Sequence, residues 1–148
     1  MTDTNTARIT VANQKGGAGK TTDVIHTGGA LSACGYNVLL VDIDYHGGLT
    51  CSLGYDELYY DTERTTLFDV LDFDQMESVN DILVEHEEFD ILPASEKLAN
   101  NKNIQTLLEA PKSRERLEMT LNELDADYDY IIVDTPPSLN VLTDNALV

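Results

Sequence analysis

Residues 8–13 (RITVAN) are β-rich and read as a buried first strand. They run into QKGGAGKTT, after which Val24, Gly28 and Leu31 recur at helical spacing. Gly35 supplies a left-handed cap, so this helix is predicted to stop near Cys34, itself expected to be a buried helix-end residue. Residues 37–41 (NVLLV) read as a second buried strand that leads into the acids Asp42 and Asp44. The order strand, glycine loop, helix, strand is a βαβ unit, and its two strands are expected to lie parallel.

The pattern is looser after that. Residues 45–64 read as loop, with Gly47, Gly48 and Gly54 among them, and Tyr59 and Tyr60 are expected at the surface or against a partner. TLFDVL, from Thr66, predicts a short helix, and residues 89–93 (FDILP) a third strand. Residues 100–109 are expected to be helical. So are residues 113–124, with Ser113 as N-cap and Leu117, Leu121 and Leu124 as the buried stripe. Residues 130–133 (YIIV) form a fourth apolar run leading into Asp134, and Pro136 and Pro137 forbid further regular pairing. A last helix is expected from Leu139. Continuous apolar strands alternating with helices predict an α/β fold, a parallel sheet covered on both faces, with all four strands interior.

Composition narrows the class. The chain has 148 residues, 42% of them hydrophobic, enough for one domain with a real core. No apolar run approaches the roughly 18 residues that span a bilayer, and MTDTNTAR holds no basic-then-apolar leader. Cys34 and Cys51 form neither a metal-site pair nor a disulfide framework, which points to a reducing cytoplasm. The acids number 27 against 9 basic side chains, a formal charge of -18. No Lys or Arg occurs between Thr21 and Glu63, and the acids from Asp69 to Asp90 are interleaved with Leu, Val, Ile and Phe. Those acids read as solvated faces of folded elements. So acidic a body repels phosphate backbones. Its scarcity of lysine points to a salt-loving source, where screening shortens to about 3 Å near 1 M salt. An unusually acidic mesophilic protein is the alternative.

The chemistry concentrates in residues 14–22. Gly16, Gly17 and Gly19 let successive N–H groups turn inward as a nest for an anion, and the helix that follows adds its dipole. Lys20 offers a point charge to β- and γ-phosphates, and the Thr21 hydroxyl stands where it can ligate Mg2+. An ordinary P-loop has a glycine where Gln14 stands, and here Lys15 follows it.

K-G-G-A-G-K-T-T, with a lysine at each end, resembles the deviant phosphate loop of the ParA/MinD class of P-loop ATPases. LLVDIDYHGGLT is similar to the first switch of that family, and YDYIIVDTPPSL to its Walker B strand and second switch; TLFDVL and FDILPASEKLA fit the ParA/Soj branch. The resemblance implies that Lys15, Gly16, Gly17, Ala18, Gly19, Lys20, Thr21 and Thr22 hold the phosphates of ATP, with Asp42 beside them. It implies that Thr21 and Asp134 hold Mg2+. Lys15 would reach the phosphates of a second copy in a homodimer, and Asp44 would orient the attacking water. Residues 1–6 read as a frayed tail and residues 7–148 as the N-terminal part of a ParA-type P-loop domain. The implied function is a Mg-ATP-dependent dimerisation switch for plasmid or chromosome partitioning, cytoplasmic and nucleoid-associated. A ParB-like centromere-binding partner is implied, with nonspecific DNA contact only through a C-terminal region that this chain lacks, and no membrane contact. A MinD-like positioning ATPase, a P-loop synthetase and a non-catalytic truncated remnant are the alternatives. Tyr45 and His46 stand where the branch usually has Pro and Gln, and Gly48 where it has Asn. His46, close to Asp44, reads either as a solvated loop residue or as a contact to metal or phosphate.

Overall fold

In the computed structural model, residues 5–12, 19–72, 76–138 and 140–147 are described. Lys15, Gly16, Gly17 and Ala18 lie outside them, as do Leu139, Val148 and most of the expected N-terminal tail.

Among the described residues five strands make one sheet: β1 (Ala7–Val11), β2 (Val38–Asp42), β3 (Val84–Glu85), β4 (Asp90–Leu92) and β5 (Tyr130–Asp134). Their order is β1-β5-β2-β4-β3, parallel except for the β3–β4 pair. The two-residue β3, too short to leave an apolar run, was not foreseen. Among the described residues β1 pairs with β5 alone, and its first two residues are exposed. A strand's place in a sheet is set by what pairs with it, which local composition does not encode.

The interior strands are apolar on both faces because both faces are covered. Leu40, Ile91 and Ile132 pack with Val24 of helix α1 (Lys20–Ala33), while Leu39, Val41, Leu92, Ile131 and Val133 face the opposite layer. That layer draws on α4 (Leu67–Leu71), α5 (Asn101–Glu109), α6 (Arg116–Leu121) and α7 (Val141–Leu147). Residues 45–64 are not a plain loop. They hold two five-residue helices, α2 (Gly48–Ser52) and α3 (Asp56–Tyr60).

End signals fared unevenly. Helix α1 stops at Ala33, with Gly35 at φ +92 beyond it. Cys34, however, is exposed rather than buried. Thr66 starts α4 with Asp69 as its partner, the Thr66 N–H and hydroxyl both donating to Asp69 Oδ2 at 2.8 Å. Ser113 does not cap α6. The chain turns through residues 111–115, Glu115 takes the cap position, and the Ser113 carbonyl accepts from Asn145 Nδ2 at 2.6 Å instead. Tyr59, expected outside, is buried. Asp69 and Asp72 likewise leave the solvated acidic face for the interior.

Candidate nucleotide site

The carboxyl ends of three strands meet at one level, because the register pairs Val11 with Asp134 and Asp134 with Asp42. Ligands of open parallel sheets bind along such a rim. Helix α1 rises from it behind Gly19, which sits at φ +81. Lys20 is buried at the helix start, Thr21 is half-buried, and Thr22 faces solvent.

The Thr21 hydroxyl donates to Asp134 Oδ2 at 2.6 Å. The other oxygen of Asp134, Oδ1, is buried and without a hydrogen-bond partner. Burial pushes the Asp134 carboxyl up and Asp44 adds to this, while the Thr21 bond and Lys20 oppose it. A buried carboxylate oxygen left unpaired beside a hydroxyl is a donor set that suits a hard, oxygen-seeking cation. Among the described residues no three His, Cys, Asp or Glu side chains gather as a metal cage. Thr21 and Asp134 would thus suit a magnesium ion, whose remaining ligands would have to come from phosphate and water.

Asp42 is wholly buried. Its Oδ2 accepts from the Thr50 N–H at 2.8 Å and the Thr50 hydroxyl at 2.6 Å, and its Oδ1 from the Asp44 N–H at 3.2 Å. The Thr50 hydroxyl in turn accepts from the Ala94 N–H at 2.8 Å, tying the site to the segment after β4. Burial pushes the Asp42 carboxyl up to about 7. The Thr50 bonds resist that rise, and the charges of Asp134 and Asp44 add to it. Thr50 was missed from the sequence, although it ends the switch-like stretch LLVDIDYHGGLT.

Asp44 is nearly buried, and its Oδ1 is met twice by His46, through the backbone N–H and through Nδ1, each at 2.9 Å. The turn after it closes with the Gly47 N–H donating to the Asp44 carbonyl at 2.9 Å. Tyr59 backs this turn, its hydroxyl donating to the Tyr45 carbonyl at 2.6 Å. Gly47 has φ +66, and a Cβ there would lie 2.4 Å from the Tyr59 ring. Gly48 abuts the helix α1 start, since its Cβ would come 3.3 Å from Thr21 Oγ1. The fold therefore gathers Lys20, Thr21, Asp42, Asp44 and Asp134 at one rim. Thr22 stands apart from these contacts.

The AAA domain family matches residues 6–148. The sporulation initiation inhibitor protein Soj of Bacillus subtilis (strain 168) is 42% identical over 142 residues, 94% of this chain and 53% of its own length. A cobyrinic acid a,c-diamide synthase of Mycobacterium smegmatis, solved with bound ADP and magnesium, shares the fold at TM-score 0.85 and 42% identity. That match covers 96% of this chain and 56% of the synthase. A plasmid partition protein of Borrelia burgdorferi matches at TM-score 0.77 and 27% identity, over 96% of this chain and 60% of its own. This chain spans about half the length of the curated relatives it matches. With the family matched across the parallel sheet and its rim, the chain belongs to the AAA domain family, in which it is similar to Soj and ParA proteins.

Proposed function

We propose that the protein is a Mg2+-dependent ATPase switch of the ParA/Soj type, closing as a homodimer on ATP and reopening after hydrolysis to position plasmid or chromosomal DNA. The observation that carries this reading is the Thr21–Asp134 pair, with its buried and unpaired second oxygen, at the start of a helix that also buries Lys20. In this reading Lys20 binds the β- and γ-phosphates, Thr21 and Asp134 hold the cation, and Asp42 with Thr50 braces the first switch. Mg2+, when bound, neutralises charge on the phosphates. Asp44 orients a water whose oxygen bonds the γ-phosphorus as the bridging P–O bond breaks, leaving ADP and phosphate. Lys15, Gly16, Gly17 and Ala18, which lie outside the described residues, are assigned to phosphate binding in this reading, with Lys15 serving the second copy.

The remaining elements of the reading belong to the whole protein. A ParB-like partner would speed turnover, and nonspecific DNA is the surface on which such a switch would act. The cytoplasm and the nucleoid are the proposed place of action, in a salt-rich cell.

Calorimetric titration of Mg-ATP tests the assignment. Lys20→Ala should weaken binding by about 10- to 100-fold, the cost of losing a charge-assisted phosphate contact. Unchanged affinity would refute the site. Binding without turnover in the unaltered protein would instead favour a non-catalytic remnant. The likeness to the Mycobacterium smegmatis synthase favours a second reading, a nucleotide-using synthase. Under that reading cobyrinic acid should raise ATP turnover; under the first it should leave turnover unchanged.

A further inference from the structure

We propose that His46 is a positioning residue for Asp44, an inference that rests on the reading of Asp44 as the group that orients the attacking water. A carboxylate only accepts hydrogen bonds, so the 2.9 Å contact from Nδ1 fixes the proton of the imidazole on that nitrogen. Together with the His46 backbone N–H, also at 2.9 Å, it occupies Oδ1 from two directions. Among the described residues no donor reaches Oδ2. Two bonds on one oxygen fix the plane of the carboxylate and leave its other oxygen to the reaction.

The imidazole is itself held. The Tyr45 ring lies against it, with centroids 4.2 Å apart and planes tilted by 40°. Tyr45 is anchored in turn through its carbonyl to the buried Tyr59 hydroxyl, at 2.6 Å. A chain of contacts therefore runs from the core, through Tyr59 and Tyr45, to the imidazole and on to Asp44. Its last link is open to water, the His46 side chain being 57% exposed against 10% for that of Asp44. So exposed a contact adds little to the stability of the fold. Its consequence lies in the orientation of Asp44, and small misplacements of a group acting on the reacting water are costly in rate.

Steady-state ATP hydrolysis, run beside Mg-ATP binding and thermal unfolding, tests this on four variants. His46→Ala should lower kcat by about 10-fold or more while KM for Mg-ATP moves less than about 2-fold and the unfolding midpoint holds. His46→Gln, whose amide N–H can donate at similar reach, should recover most of the loss. His46→Ala added to Asp44→Ala should cost no more than Asp44→Ala alone, since the two act as one unit. Wild-type kcat in His46→Ala, with Asp44→Ala inactive, would overturn the role of His46 and leave that of Asp44 standing. Wild-type turnover in Asp44→Ala would overturn both. A parallel loss of Mg-ATP affinity in His46→Ala would assign the ring to nucleotide contact and overturn positioning.

Discussion

Asp42 is a carboxyl that the fold buries completely and then surrounds with two other acids, yet supplies with three donors. Its folded value, about 7, lies above the 3.8 of an unburied aspartate, so the folded state holds an extra proton between those limits. Stability from this group is therefore greatest below about pH 4, falls as pH rises toward about 7, and levels off above. Melting the nucleotide-free protein in EDTA from about pH 5 to about pH 8 should show a falling midpoint, with a smaller fall in Asp42→Asn. Equal slopes would mean that Asp42 does not carry the linkage. The places of Asp42, Asp44 and Asp134 were legible because the motifs that hold them resemble a known family and because acids closing adjacent parallel strands fall on the ligand rim. Thr50 and Tyr59 were not. A threonine and a tyrosine in a glycine-rich stretch carry no period, and only the folded turn brings them to Asp42 and Tyr45.

At the scale of elements, α1, α4, α5 and the interior strands could be read because apolar spacing and caps agree there. Helices α2 and α3 escaped, each being five residues long and dependent on packing for stability. Gly47 and Gly54 separate the two contributions. Both have positive φ, +66 and +86, but a Cβ at Gly54 meets open space whereas one at Gly47 meets the Tyr59 ring. Gly54→Ala should cost about 1 kcal/mol, the strain of the backbone alone. Gly47→Ala should cost about 2–4 kcal/mol, since Tyr59 must also move. Chemical denaturation gives both values, and equal losses would show that Tyr59 does not back the turn.

Over the whole molecule a charge of -18, from 27 acids against 9 basic side chains, leaves most acids without a cation to pair with. Among the described residues the ion pairs include Arg8–Glu118 at 3.7 Å, Lys97–Asp69 at 2.7 Å and Arg114–Asp144 at 3.4 Å, and of these three the second is largely shielded from water. Glu85, Glu87 and Glu88 stand exposed together beside the sheet edge. Repulsion of this kind is relieved by screening. The unfolding midpoint should climb by several degrees from low salt to about 1 M KCl. A flat or falling midpoint would remove the salt-loving interpretation. Composition showed the excess of acid at once. It could not show that Asp69 and Asp72 leave the surface, since their burial follows from α4 packing beneath them.

The strand order bears on how such a chain is made. Although β1 and β2 are neighbours in sequence, β5 stands between them, so within the sheet they are joined through residues 130–134. While the ribosome is still short of that point, β1 has no strand to pair with and the β2 edge that will receive β5 stays open. At about 5–20 residues per second that interval lasts for seconds, which is long beside the chain's own collapse. Strand β5 thus works as a keystone set after both of its neighbours, and the nascent protein is most open to chaperones and to misassociation just before residues 130–134 emerge.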